Sequence, residues 1–117
     1  MNQNVRSNKE FSRGDIFMMN PNPTKGHEQG NYRPFIVLSE ELQKFSPHML
    51  QVAPITSQRK GYPLHVELQT LNHNVGGLVL TEHTRTIDVM AYSVSFKVID
   101  EATTECILEC KKIIDSF

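Results

Sequence analysis

The pattern of apolar residues changes once along this chain of 117 residues, and that change constrains the fold more than any other feature. Over about the first hundred residues, apolar residues occur in runs of four or fewer with turn-forming residues between them, as in short β-strands. Towards the C-terminus they recur at every third or fourth position, as on one face of a helix. The sequence therefore predicts a mainly β fold of the α+β type, with several short strands followed by one helix.

Two of the predicted strands have informative patterns. Arg33–Ser39 contains four consecutive apolar residues, so we expect a central strand covered on both faces. Leu64–Gln69 alternates apolar and polar residues, which is typical of a half-buried strand. The other candidates are Asp15–Met19, Met49–Ile55, Leu78–Thr81, Arg85–Val89 and Val94–Val98. Short strands separated by turns in so small a chain predict an antiparallel sheet curled into a small barrel.

The predicted helix has one apolar stripe, made of Ala102, Cys106, Ile107, Cys110, Ile113, Ile114 and Phe117. Asp100 is the predicted N-cap, because a short polar side chain can accept a bond from the first free backbone N–H groups. Cys106 and Cys110 are the only cysteines, and their spacing puts both on one helix face. We expect two reduced core thiols there, since a zinc site would need four ligands.

The domain organisation follows from length and from the N-terminus. A chain of this size suffices for one compact core, so we expect a disordered leader over residues 1–12 and a single domain over 13–117. The polar leader lacks the apolar stretch of a secretory signal. No apolar run approaches the ~20 residues that cross a bilayer. These features predict a cytoplasmic protein with no membrane partner.

Charge is balanced overall but divided along the chain. The formal net charge is −1, which excludes the uniformly basic signature of a histone-like nucleic-acid binder. Residues 1–62 carry 8 basic and 5 acidic side chains, whereas residues 63–117 carry 4 basic and 8 acidic ones. Only the first half therefore has the charge expected of a surface that meets a polyanion.

Two polar loops in the first half collect the residues that could do chemistry. The loop Asn20–Tyr32 and the residue after it bring together Lys25, His27, Glu28 and Arg33, and the loop 56–63 brings together Thr56, Ser57, Gln58, Arg59 and Lys60. Side by side, the two loops would form a basic, hydroxyl-rich groove of phosphate-binding composition. Such groups suit RNA cleavage, in which the neighbouring 2′-hydroxyl is the nucleophile and no metal or other cofactor is required. Composition alone permits this reaction without selecting it.

Three blocks of sequence, in order, add a family resemblance. They are GDIFMMNPNPTKGHEQGNYRPFIVLS (14–39), PITSQRKGYPLHVEL (54–68) and GLVLTEHTRTIDV (77–89). Over residues 13–117 the chain resembles the MazF/PemK toxins. The resemblance implies an SH3-like barrel of the MazF/CcdB type with a C-terminal α-helix. It also implies a homodimer and a type II toxin–antitoxin partner, an antitoxin with an acidic disordered segment. The implied activity is sequence-specific, metal-independent cleavage of single-stranded RNA such as mRNA, leaving a 5′-hydroxyl and a 2′,3′-cyclic phosphate or 3′-phosphate.

The same resemblance assigns three catalytic positions. The arginine of the family's RP dipeptide falls on Arg33, and its threonine falls on Thr56. A planar, permanently charged guanidinium suits a phosphorane, and a hydroxyl can donate to a non-bridging oxygen. The glutamate of the family's EQ pair falls on Glu28, which would act either as a base or as the residue that orients Arg33.

Further residues are predicted to contact RNA, each with a simpler alternative. Gln58, Arg59 and Lys60 would meet phosphates or bases, unless they form a solvated loop. His65 would line the groove or lie on an ordinary strand surface, and Arg85 would meet RNA or support a dimer. Two more loop residues, Lys25 and His27, are included with them.

Two alternatives to an RNA-cleaving toxin fit the same fold. A toxin that binds DNA gyrase without catalysis, as the CcdB toxins do, would have no use for Arg33 and Thr56 in an RNA groove. A plain SH3-like interaction module would need aromatic residues clustered on a peptide groove, and the aromatic residues here are spread along the chain.

Overall fold

A computed structural model of the chain describes residues 11–20, 32–58, 64–91 and 96–117. Within these ranges the chain forms mostly β-strands, with a short helix between two of them and a longer helix at the end. Short 3₁₀ turns follow two of the strands. The elements are β1 (Asp15–Met19), β2 (Arg33–Val37), α1 (Glu41–Phe45), β3 (Met49–Thr56), β4 (His65–Glu67), β5 (Leu78–Leu80), a 3₁₀ turn (Thr81–His83), β6 (Arg85–Asp88), a 3₁₀ turn (Val89–Ala91), β7 (Val98–Glu101) and α2 (Thr104–Asp115).

The strands form one antiparallel sheet in the order β4-β5-β3-β2-β1-β7, and β6 also pairs with β3. β3 is the longest strand, and it pairs with β2 along one edge and with β6 and then β5 along the other. Pro54, which has no N–H to donate, lies between the β6-paired and β5-paired stretches of β3. The mainly β class predicted from the sequence is confirmed.

The central strands are buried on both faces, as the run in β2 predicts. Ile36 packs in an aliphatic cluster with α2, while its neighbour Phe35 packs on the opposite face with other phenylalanines. Successive residues of a strand point to opposite faces, so a continuous apolar run is needed when both faces are covered. On the aromatic face, the ring centroids of Phe17 and Phe96 lie 4.9 Å apart.

The sheet does not close into the predicted barrel. Its two end strands, β4 and β7, are not paired with each other. The segments that follow them meet instead through an isolated bridge between Thr70 and Ala102 and through a bond from the Thr103 backbone N–H to the Gln69 carbonyl. With three-residue and four-residue end strands, too little chain remains to complete a strand-to-strand seam.

The C-terminal helix is confirmed, but its predicted N-cap is wrong. Thr103 caps α2, and its side-chain oxygen accepts a bond from the Cys106 backbone N–H at 3.2 Å. Asp100 lies in β7 with its carboxylate directed to backbone N–H groups of a distant loop. Cys106 and Cys110 are buried free thiols, as expected.

Two further differences concern short elements. The last strand was expected at Val94–Val98 and instead spans Val98–Glu101, while residues 92–95 lie outside the described ranges. α1 was not anticipated, because five residues carry too little periodic signal for a helix prediction. The predicted leader over residues 1–12 lies almost entirely outside the described residues and stays a prediction. In the part of the chain that the structure covers, no helix is long and apolar enough to span a membrane.

Candidate nucleic-acid interface

The register of β2 and β3 brings the two proposed catalytic residues together. Phe35 pairs with Pro54 in this antiparallel ladder. Continuing the same register by two residues sets Arg33, at the start of β2, opposite Thr56, at the end of β3. Side chains two residues apart on a strand point to the same face. Arg33 and Thr56 therefore share the sheet face that carries the aromatic cluster.

A cleft of about 320 Å³, here called the Arg33–Thr56 cleft, opens at this point. Its walls come from the two strand ends and from the loop that precedes β5. The lining residues are Tyr32, Arg33, Pro34, Ile55, Thr56, Ser57, Gln58 and Gly76. Three of the residues predicted from the sequence, Arg33, Thr56 and Gln58, thus lie in one cleft.

The Thr56 hydroxyl oxygen accepts a hydrogen bond within its own turn. Its oxygen accepts a bond from the Gln58 backbone N–H at 3.1 Å, which closes a small turn at the end of β3. A threonine hydroxyl has one proton to donate besides its acceptor positions, so this bond leaves the donor free for a ligand in the cleft. The turn therefore orients Thr56 without consuming the hydrogen bond that the proposed chemistry needs.

The backbone behind Thr56 is packed against a glycine. Gly77 has a φ of +130°, and a Cβ added there would lie 2.3 Å from the Thr56 carbonyl oxygen. A side chain is thus excluded both by conformation and by space. Gly77 allows the loop before β5 to approach the end of β3 closely enough to form a cleft wall.

A second cleft of about 280 Å³, here called the Arg33–Arg85 cleft, adjoins the first through Arg33. It combines an apolar floor with a cationic rim, and its lining residues are Arg33, Phe35, Pro54, Leu80, His83 and Arg85. Arg85 reaches it because β6 pairs with β3 at Val52, on the same sheet face. No acidic residue in the described ranges lines either cleft. The two clefts share Arg33, and together, here called the track, they have the charge that a phosphate chain requires.

The structure does not bring His65 to this track. Its side chain is only 5% exposed, and its Nε2 lies 3.0 Å from Glu82 Oε2. Burial acts to raise the pKa of Glu82, but backbone hydrogen bonding and the bond and charge of His65 outweigh it, so the pKa is lowered. The turn after β5 thus covers the His65 side chain, and His65 lines neither of the two clefts.

Five of the predicted site residues lie outside the described ranges. They are Lys25, His27, Glu28, Arg59 and Lys60. Their roles stay predictions. Among described residues, no group of three His, Cys, Asp or Glu side chains is placed to hold a metal ion.

Sequence reasoning missed two contributors to the track. His83 lines the Arg33–Arg85 cleft from the 3₁₀ turn before β6, and its side chain is 62% exposed. Its position two residues before Arg85 in the third sequence block was a usable signal. Gly76 lines the first cleft, and nothing in its local sequence marks it, because its place depends on contacts made across the sheet.

The fold and the site define a class. This is a small antiparallel β protein with a C-terminal helix, whose paired strand ends present an arginine and a hydroxyl in a cationic track suited to a polyanionic chain. A family profile described as PemK-like, MazF-like toxin of type II toxin–antitoxin systems matches residues 12–117. The chain belongs to that family.

Individual relatives agree with the family match. Over 74 residues, covering 63% of this chain and 65% of the relative, the chain is 35% identical to the endoribonuclease toxin MazF of Escherichia coli K12. It is 36% identical over 81 residues to the endoribonuclease EndoA of Bacillus subtilis 168, covering 65% of this chain and 69% of EndoA. The matched part thus spans about two thirds of each relative.

Solved structures extend the likeness to nearly the whole chain. A crystal structure of MazF from Deinococcus radiodurans superposes with a TM-score of 0.73 at 32% identity, covering 91% of this chain and 94% of that one. A MazE–MazF crystal structure from the same organism gives a TM-score of 0.70 at 28% identity, covering 91% and 92%.

Proposed function

We propose that this protein is the endoribonuclease toxin of a type II toxin–antitoxin system and cleaves single-stranded RNA at specific sequences. The observation that carries the proposal is the register of β2 and β3, which sets Arg33 opposite Thr56 in one open cleft. The names of the E. coli and B. subtilis relatives, both endoribonucleases, support it. Neither the family match nor these relatives favour the gyrase-binding alternative.

The proposed reaction is transesterification within the RNA. The ribose 2′-hydroxyl loses its proton to a base as its oxygen attacks the adjacent phosphorus. The bond to the 5′-oxygen breaks, that oxygen takes up a proton from solvent or from an acid, and a 2′,3′-cyclic phosphate and a 5′-hydroxyl result. Negative charge develops on the non-bridging oxygens, and the permanently charged guanidinium of Arg33 stabilises it. The nucleophile belongs to the substrate, so we propose that the reaction proceeds without a metal ion.

Thr56 is proposed to donate its hydroxyl proton to a non-bridging oxygen of the same phosphate. The bond from the Gln58 N–H fixes the position of the oxygen, so little reorganisation is needed when charge develops. Glu28 stays a prediction, either as the base that removes the 2′-hydroxyl proton or as the group that orients Arg33. The Arg33–Arg85 cleft is proposed to hold the chain beside the scissile phosphate, with phosphate on its cationic rim and a base on its apolar floor.

Cleavage of a long unstructured RNA in excess chelator tests this function. We expect the wild-type protein to cut at defined sequences, mapped by primer extension, and to leave 5′-hydroxyl ends. Arg33→Ala should lower the cleavage rate by about a thousandfold or more, the scale of effect found when a charged transition-state stabiliser is removed. The matched control is Arg13→Ala, because Arg13 pairs with Glu40 at 3.0 Å and lines neither cleft.

Three outcomes of this experiment would each contradict a different part of the proposal. Absence of cleavage by the wild type would contradict the enzyme proposal, and cleavage only without chelator would contradict metal independence. Equal rates for Arg33→Ala and Arg13→Ala would remove Arg33 from the mechanism.

We also propose a cytoplasmic homodimer neutralised by a cognate antitoxin. The MazE–MazF structure from D. radiodurans supports an antitoxin partner, and the cationic track supports an acidic antitoxin segment that competes with RNA. Exposed apolar side chains such as Phe45 and Met90, 83% and 58% exposed, offer surface for a second copy. Light scattering at micromolar concentration should give the mass of a dimer, and the mass of a monomer would contradict this part.

A further inference from the structure

Asp100 is a buried carboxylate on β7 that the proposed chemistry does not use. The residue is only 2% exposed. Its two oxygens accept three backbone N–H bonds, from Asn72 at 3.0 Å, from Asn74 at 2.7 Å and from Glu101 at 2.8 Å. Two of these donors belong to one loop, residues 70–77, which is here called the anchored loop. Asp100 thus organises a segment that lies 26 and 28 residues earlier in the chain.

The charged form of Asp100 is the form that the loop surrounds. Burial acts to raise the pKa of this carboxyl, but hydrogen bonds from the Glu101, Asn74 and Asn72 backbones and from the Thr70 side chain outweigh it and lower the pKa to about 2. Bonds from N–H groups to a carboxylate are stronger than bonds between neutral partners. The carboxylate therefore fixes the loop at every pH at which an RNA-cleaving protein would work.

Other hydrogen bonds also join the anchored loop to β7. The Leu71 N–H donates to the Glu101 carbonyl at 2.9 Å, and the Asn74 side-chain amide donates to the Ile99 carbonyl at 2.9 Å. His73, in the middle, has a left-handed φ of 59°, and its backbone N–H donates to the Thr70 hydroxyl at 3.0 Å. The loop is thus tied to β7 at several points.

The far end of the same loop is a wall of the Arg33–Thr56 cleft. Gly76 lines the cleft, and Gly77 packs against the Thr56 carbonyl at a distance that leaves no room for a side chain. The next residue, Leu78, pairs with Thr56 in the sheet. A shift of the anchored loop would therefore move the backbone that carries the Thr56 hydroxyl.

We infer that Asp100 is a positioning residue for RNA cleavage, which holds Thr56 in place through the anchored loop. This inference rests on the proposed function. Misplacing a reacting group by about 1 Å can cost about a hundredfold in rate, so the effect should fall on the chemical step. RNA binding should change little, because Arg33 and Arg85 are held by other strands.

The test compares Asp100→Asn with the wild type. The variant keeps the side-chain shape but turns one acceptor oxygen into a donor that faces a backbone N–H. We expect kcat for RNA cleavage to fall by about tenfold to a hundredfold, with the affinity for a non-cleavable 2′-deoxy analogue within about threefold. Amide NMR shifts of Thr56, Gln58 and Gly76 should move, which a defect confined to β7 would not produce.

Asp88→Asn is the matched control, because exposed Asp88 also accepts one backbone N–H bond, from Met90 at 3.0 Å, at the other end of β3. It should leave kcat and the Thr56 amide shift unchanged. Asn74→Ala, at an exposed position, removes only the bond to Ile99 and should lower kcat by about threefold. If Asp100→Asn does not fold, this variant decides whether the anchored loop positions Thr56.

The inference is overturned if the folded variants cleave RNA with wild-type kcat and leave the Thr56 amide shift unchanged. A wild-type protein that does not cleave RNA overturns the proposed function instead, and in that case the amide shifts alone decide whether Asp100 positions Thr56.

Discussion

The two walls of the Arg33–Thr56 cleft differ in what they carry and in what holds them in place. The strand wall, Arg33 and Thr56, carries the proposed catalytic groups and owes its geometry to the register of two paired strands. The loop wall, Gly76 and Gly77 of the anchored loop, carries no reactive side chain, and the same loop donates the Asn72 and Asn74 backbone N–H groups to buried Asp100. The proposed catalytic groups must stay exposed to meet RNA. Their positions therefore depend on strand pairing and on buried bonds that RNA would not contact.

In the strand wall, loss of the Thr56 hydroxyl should have the largest effect on cleavage after Arg33→Ala. Thr56→Val keeps the side-chain shape but removes both the proposed donor and the bond to the Gln58 N–H. We expect kcat to fall by about a hundredfold, the scale of losing one preorganised donor to a developing oxyanion. Thr56→Ser restores the hydroxyl and should recover most of the rate in the same single-turnover cleavage assay. A valine variant as fast as the serine variant would show that the strand wall acts through Arg33 alone.

The contact between the walls is the next target. Gly77→Ala places a Cβ 2.3 Å from the Thr56 carbonyl oxygen at a φ of +130°. We expect a loss of about 2 kcal/mol in the free energy of unfolding, typical of a strained backbone position, and a slower cleavage rate. Denaturant unfolding measures the first effect. Gly76→Ala is its stability control, because a Cβ at Gly76 meets nothing within 4 Å. Equal stabilities for the two variants would mean that the walls are not in close contact.

The sequence predicted the strand wall better than the loop wall, for a physical reason. The start of β2 at Arg33 and the end of β3 near Thr56 follow from local apolar patterns. Antiparallel pairing of the two strands then sets these residues opposite each other. The role of Asp100 depends on donors more than twenty residues away, and a local pattern assigned it to the helix N-terminus instead. The alternation of β4 correctly put His65 on its polar face, but no local signal showed that Glu82 would cover it.

The loop wall should weaken in acid. The pKa of Asp100 is lowered from its ordinary 3.8 to about 2, so its contribution to stability is complete above pH 4 and is lost as the pH falls towards 2. Denaturant unfolding at successive pH values should show wild type more stable than Asp100→Asn near pH 6, with the difference shrinking between pH 4 and 2. A difference that stays constant over this range would mean that the charge of Asp100 does not hold the anchored loop.

The smallest expected effect is a change in KM, and it should differ between two histidines that lie near the same carboxylate. Glu82 Oε2 lies 3.0 Å from Nε2 of buried His65 and 3.8 Å from Nε2 of exposed His83. Only His83 lines the track, so His83→Ala should raise KM for RNA by about threefold, the scale of a single exposed polar contact, with little change in stability. His65→Ala should lower the free energy of unfolding and leave KM unchanged, because it removes a buried partner of Glu82 and leaves the track intact. If His65→Ala raised KM as much as His83→Ala with stability unchanged, the RNA-binding surface would have to extend over β4.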